Sequence, residues 1–313
     1  MADPWLPPLD FQAYLEAKAP IDAASLNPDL FGRFRRRLDA DSAPRLLDLG
    51  TGTGAMLRRV LALSSAGVME LAGLDSDARS LEQASRRIAE LLHAQGCRVR
   101  EEPEAAGWRL EAESGARRVR VRLGRGDLLD PGTPALFSGP AFGFVTAHAF
   151  LDLLPLECGL GAIRPLLAPG GLLYATLNYD GSTLLLPPDR DPAFEQALLA
   201  AYHHSMETRR VGGEPTGGAF SGRRLQAALE RGGFRVLGAG SSDWNVFPEG
   251  GRHAPGPALF LEALLGMIAR EGLRAPDIDA RDLEAWWRRR TAEVQAGRLG
   301  LVAHNLDLLA ERA

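Results

Sequence analysis

From residue 45 onward the chain alternates two hydrophobic rhythms. Short apolar runs at 45–49 (RLLDL), 68–75 (VMELAGLD), 142–148 (FGFVTAH), 172–178 (LLYATLN) and 234–240 (FRVLGAG) read as buried strands. Helical stretches separate them. Met56, Leu57, Val60, Leu61 and Leu63 form one helical face. Residues 77–95 form a charged amphipathic helix closed by Gly96, and 156–168 a helix ended by Pro169-Gly170-Gly171. Residues 108–127 (WRLEAESGARRVRVRLGRGD) instead alternate apolar and charged positions on both sides of Ser114-Gly115. That pattern predicts a hairpin, with Val119–Leu123 as the third core strand.

Ahead of this region, residues 11–38 predict two helical pieces broken near Pro20 and Pro28. Behind it lie helices at 192–207, with Asp191 as N-cap and Pro192 at the first position, and at 222–231. Two more follow at about 257–271 and 280–295, and a last strand at 299–309 (LGLVAHNLDLL). Strand and helix alternate throughout 45–178, the signature of an α/β, doubly wound sheet.

The chain has 313 residues, of which 45% are hydrophobic, enough for a sizeable core, and a net charge of -4. Mild acidity argues against a broad nucleic-acid-gripping surface. The two cysteines, Cys97 and Cys158, lack metal-ligand spacing, so no disulfide framework and no metal site is expected. No basic, apolar leader opens the chain, and no apolar run reaches the ~20 residues of a membrane helix. The expectation is a cytoplasmic protein that engages neither nucleic acid nor membrane.

The glycines at 50, 52 and 54 end the first strand and open a helix. Gly50-x-Gly52-x-x-Ala55 fits the dinucleotide loop of an NAD-dependent oxidoreductase. Asp48-x-Gly50-x-Gly52-x-Gly54 fits the S-adenosyl-L-methionine (SAM) loop of a methyltransferase. Both place a helix N-terminus at the ligand. Asp48 separates them, because a carboxylate there repels a pyrophosphate and attracts the ammonium of SAM. Asp75 ends the second strand, where either cofactor's ribose can meet it. Asp127 follows the third, within reach of an adenine amino group.

With these motifs in order, residues 45–178 resemble the core of class I SAM-dependent methyltransferases, through LLDLGTGTG, GLDSD, GDLLD and LLAPGGLLY. The resemblance implies a seven-stranded sheet, six strands parallel and the seventh antiparallel between the fifth and sixth. It implies that Asp48, Gly50, Gly52 and Gly54 hold the methionine portion, Asp75 the ribose, and Asp127 with Leu128 the adenine. Ser76 stands where the family often has a bulky apolar residue against adenine.

In such sheets ligands bind beyond the carboxyl ends of the strands. The N-terminal helices (1–40) are expected to cover the domain 41–313 on that side, with insertions at about 179–220 and 245–297 forming a lid; a dimer interface is the alternative role. His203 and His204, in AYHHSMETRR, and His148, closing the fourth strand, are the candidate bases. Asp152, Tyr179, Tyr202, Trp244 and Arg209 are candidate substrate contacts. The arginine runs 35–37 and 288–290 read as solvated faces. The expected function is methyl transfer to an O or N atom of a small polar metabolite. An RNA- or protein-modifying methyltransferase, an NAD-dependent oxidoreductase and a SAM-binding protein without transferase activity are the alternatives.

Overall fold

A computed structural model describes residues 5–137 and 139–313. Helices α1 (Phe11–Ser25) and α2 (Pro28–Asp39) precede strand β1 (Arg45–Leu49), helix α3 (Ala55–Leu63), strand β2 (Val68–Asp75) and helix α4 (Ala78–Ala94). A meander of β3 (Arg98–Glu104), β4 (Gly107–Ser114) and β5 (Arg117–Arg125) follows, then β6 (Phe142–His148), α5 (Leu156–Leu166) and the long β7 (Leu167–Leu186). Beyond it come α6 (Pro192–Glu207), the small hairpin β8 (Arg210–Val211) and β9 (Glu214–Pro215), and α7 (Ser221–Arg231). The chain closes with β10 (Phe234–Ser241), β11 (Trp244–Val246), α8 (Pro255–Gly272), α9 (Ala280–Gln295) and β12 (Gly300–Arg312).

Seven strands lie in the order β5-β2-β1-β6-β7-β12-β10. Neighbours from β5 to β7 are parallel, and β12 is antiparallel to both β7 and β10. The resemblance implied this arrangement, but the sheet has ten strands among the described residues rather than seven. β4 and β3 extend the β5 edge, and β11 pairs with β12. β3 (RVREEPE) carries almost no apolar signal of its own. Backbone pairing with β4 holds it, and Glu104 adds ion pairs to Arg109 of β4 at 2.6 Å and Arg122 of β5 at 3.1 Å.

Three apolar clusters fill the molecule. One packs α2, α3 and α4 on one face of the sheet through Phe34, Leu57 and Ile88. The second packs α5 and α7 on the other face through Leu160, Ile163, Leu225 and Leu229. The third lies beyond the strand ends and joins α1, α6, α8 and α9 to the outer parts of β7 and β12. The expected fifth strand, 172–178, continues into that layer, because Thr183–Leu186 pair with Gly300–Ala303 past a register break. The helix expected over 156–168 stops at Leu166, since Leu167 is already paired with Phe142.

Two further expectations change. Pro20 lies inside α1 and does not break it; burial of Tyr14, Ala17 and Ile21 offsets the lost backbone bond. Arg290, read as solvated, is completely buried. Its guanidinium forks onto Glu195 of α6 at 2.7 Å through both Nε and Nη2, and also meets Glu293 and the carbonyl of Pro187. Trp286 Nε1 donates to the same Glu195 at 2.9 Å. This network fastens the insertion at 179–220 to the one at 245–297.

Candidate active site

β1 is buried along nearly its whole length, and its side chains alternate between the two core faces. Asp48 is therefore trapped inside, 1% exposed. Its carboxylate accepts from Thr51 Oγ1 at 2.7 Å and from Thr146 Oγ1 at 2.6 Å. Burial pushes its pKa up to about 6 against the pull of those two hydroxyls. Among the described residues it has no ion-pair partner. The chain then turns through Gly50, Gly52 and Gly54, all at positive φ. Gly50 is required twice over: its φ is +63°, and a Cβ there would sit 2.4 Å from the Phe150 ring. Leu15 of α1 lies over Gly52.

Asp75 is bound to the same turn. One carboxylate oxygen accepts from the Gly52 amide at 2.8 Å and the other from the Asp77 amide at 2.9 Å. Burial raises its pKa, and these N–H groups oppose the rise. A carboxylate has about four lone-pair positions, so two amides leave room for diol hydroxyls. Ser76 is exposed, and its carbonyl accepts from Arg125 Nε at 3.2 Å. Asp127 is exposed and caps its own turn by accepting from the Leu129 amide, whereas Leu128 is buried. These residues fit SAM: a buried carboxylate without a cation, a glycine cradle above it, and a second carboxylate with free lone pairs one strand away.

A second cluster begins two residues along β6. His148 Nδ1 meets Thr176 Oγ1 at 2.7 Å, and His148 Nε2 meets Asp22 of α1 at 3.1 Å. Asp22 also takes Lys18 Nζ at 2.5 Å and accepts from Trp244 Nε1 at 2.9 Å. Burial alone would raise the Asp22 pKa; Lys18 and His148 outweigh it and hold it below the usual carboxylate value. Ala149, next in the chain, has φ +48°, a conformation disfavoured for a residue with a Cβ. That turn points His148 toward Asp22 and Phe150 toward Gly50. Asp22→Asn is expected to lower stability by about 1–3 kcal/mol in urea unfolding, since buried Lys18 loses its counter-charge.

Around this cluster stand Tyr14, Asp152 and Tyr202. Burial drives the Tyr14 phenol well up, and Tyr202, Asp22 and Asp152 lie near enough to add to it. Burial raises Asp152 too, partly opposed by Arg209 and Lys18. Arg209 is itself exposed and stands at the rim. Tyr179, on the outer part of β7, shares its hydroxyl with His203 Nε2 at 2.7 Å and Thr183 Oγ1 at 2.6 Å. Burial pushes Tyr179 up to about 12 and lowers the pKa of His203, so both are neutral at pH 7. His204 is exposed on α6 and turned away from these groups. Thus His148 and Trp244 meet on Asp22, Asp152 and Tyr202 lie near Tyr14, Tyr179 pairs with His203, and His204 joins none of them.

Sequence reading missed Tyr14, Lys18 and Asp22. A signal was present, because Lys18 and Asp22 stand four apart on the same face as Tyr14, Ala17 and Ile21. A charged pair on an apolar helix face needs a buried partner, and His148 supplies it. Among the described residues no group of three His, Cys, Asp or Glu side chains is placed to hold a metal.

The strand order and the glycine turn agree with the architecture that the resemblance to class I SAM-dependent methyltransferases implied. No protein-family model matches the chain, and no curated protein matches it. Among solved structures it is similar to a SAM-dependent methyltransferase from Thiobacillus denitrificans in complex with S-adenosyl-L-homocysteine, at 16% identity and a TM-score of 0.49, over 98% of this chain and 99% of that one. It is also similar to a SAM-dependent methyltransferase from Geobacter sulfurreducens bound to the same compound, at 17% identity and a TM-score of 0.44, over 95% and 98% of the two chains. Among the described residues no helix is long and apolar enough to cross a membrane.

Proposed function

We propose that this protein is a SAM-dependent methyltransferase acting on an O or N atom of a small polar metabolite. The observation that carries the reading is Asp48, a buried carboxylate without a cationic partner beneath a glycine turn. A pyrophosphate there would meet a like charge; the ammonium of a methionine moiety would answer it. In this reading Asp48 with Gly50, Gly52 and Gly54 holds the methionine portion, Asp75 the ribose, and the Ser76 and Asp127–Leu128 turns flank the adenine. SAM supplies an electrophilic methyl group on a sulfonium.

The chain's own part is positioning, exclusion of water and one proton transfer. α1 lies over the glycine turn through Leu15 and is tied by Asp22 to His148 and Trp244. With α6, α8 and α9 it forms the lid over the acceptor. Neutral His203 is the base through Nδ1, with its Nε2–H donating to the Tyr179 hydroxyl, which in turn donates to Thr183 Oγ1. His148 has both ring nitrogens engaged and serves as a positioning residue. Tyr179→Phe is expected to lower kcat about tenfold with little change in KM, the loss of one hydrogen bond. Chromatography and mass spectrometry of metabolite pools incubated with protein and SAM test the assignment. Formation of S-adenosylhomocysteine together with a methylated small molecule supports it. Methylation confined to protein or RNA would overturn the small-molecule assignment.

A further inference from the structure

Asp152 presents a carboxylate that no described residue directly pairs, although Arg209 and Lys18 lie near enough to ease its charge. Its Oδ1 is buried and has no hydrogen-bond partner among the described residues. No ion pair among those residues includes it either. The loop carrying Gly217 closes over it so tightly that a Cβ at Gly217 would lie 3.1 Å from the Asp152 Cα. The phenols of Tyr14 and Tyr202 lie near enough to Asp152 for its charge to add to the rise that burial causes in both, and neither phenol has a hydrogen-bond partner among the described residues. A half-buried carboxylate with one oxygen shut away from water and unbonded is stabilised when a ligand brings a matching cation.

The aromatic neighbours of Asp152 favour a cation: Tyr14 and Tyr202 lie near it, and Tyr14 packs with Trp244 in the third cluster. Lys18 already shows an ammonium settled against this surface, 5.2 Å from the centre of the Trp244 ring. Lys18 is itself neutralised by Asp22 at 2.5 Å, so it offers an incoming anion little. Arg209 stands exposed at the rim. An ammonium group has donors and no acceptor, which suits a carboxylate and two phenol oxygens.

We propose that Asp152 is the counter-ion for a protonated small primary or secondary amine, and that this amine becomes the acceptor once its ammonium proton has passed to His203, so that the freed nitrogen lone pair takes the methyl group as S-adenosylhomocysteine leaves. Its place as methyl acceptor rests on the methyltransferase reading; the binding of an amine at Asp152 does not. The test is calorimetric titration of the full chain with benzylamine, benzyl alcohol and benzoate, with and without S-adenosylhomocysteine. Benzylamine is expected to bind in preference to both others. Asp152→Asn is expected to weaken it about tenfold or more, and Asp152→Glu to keep the preference for the amine. Circular dichroism confirms that both variants fold. Preference for benzoate, no binding of benzylamine, or an unchanged affinity in Asp152→Asn would each overturn the proposal. Titration of the nucleoside alone reports on the cofactor reading separately, so the two can fail independently.

Discussion

Asp48→Asn is expected to weaken SAM and S-adenosylhomocysteine binding by about two to three orders of magnitude, while stabilising the ligand-free protein above pH 6. Both effects have one cause. Asp48 is buried, carries no counter-charge among the described residues, and has its pKa raised to about 6. The folded state thus holds this proton more tightly than the unfolded chain does. Its contribution to stability is greatest below the ordinary aspartate pKa and is lost as pH rises through about 6. The shift of about two pKa units corresponds to about 3 kcal/mol. Asparagine keeps the shape and escapes that loss, so urea unfolding at pH 8 should show a gain of about 1–3 kcal/mol. Binding responds in the opposite sense. A ligand ammonium supplies the missing charge, and removing one partner of such a pair costs about 2–5 kcal/mol. For the unmodified protein, affinity should therefore rise as pH increases through about 6, with Asp75, also raised by burial, adding to the slope. In Asp48→Asn that rise should shrink to the part Asp75 contributes.

Arg290→Met is expected to destabilise the protein by about 3–5 kcal/mol. The guanidinium is fully buried and answers Glu195, Glu293 and the Pro187 carbonyl at once. Without it, Glu195 retains only the Trp286 indole N–H as a buried donor and loses its counter-charge. The damage falls on the junction of α6 with α9, the layer that carries Tyr202 and His203. Glu195→Gln together with Arg290→Met should be less destabilised than the sum of the single changes, since the double variant buries no lone charge. Urea unfolding of the four proteins measures this coupling. Strict additivity would show that the network contributes as separate contacts.

The sheet was legible because its strands are buried on both faces and its turns are punctuated by glycine and proline. The common turn that joins Asp48, Gly50, Gly52, Gly54 and Asp75 was legible because these residues sit within one strand-turn-helix unit and the strand beside it. β3 was not, since it is held by backbone pairing with β4 and by the ion pairs of Glu104 rather than by its own hydrophobicity. Arg290 and Asp22 were misread or missed for a related reason. Each is a charged residue whose burial depends on a partner far along the chain: Glu195 lies 95 residues from Arg290, and His148 lies 126 from Asp22. Local pattern reads a charge as solvated, and only the fold brings its counter-charge to it. His203 and His204 were indistinguishable as neighbours in sequence. The turn of α6 faces one toward Tyr179 and the other outward.

The most direct measurement is calorimetric titration of the unmodified protein with SAM, S-adenosylhomocysteine and NAD at pH 7.5, about 1.5 units above the Asp48 value. The two sulfur nucleosides are expected to bind with one-to-one stoichiometry and NAD not to bind. Binding of NAD with neither nucleoside would contradict the assignment of Asp48 to an ammonium, and the methyltransferase reading with it.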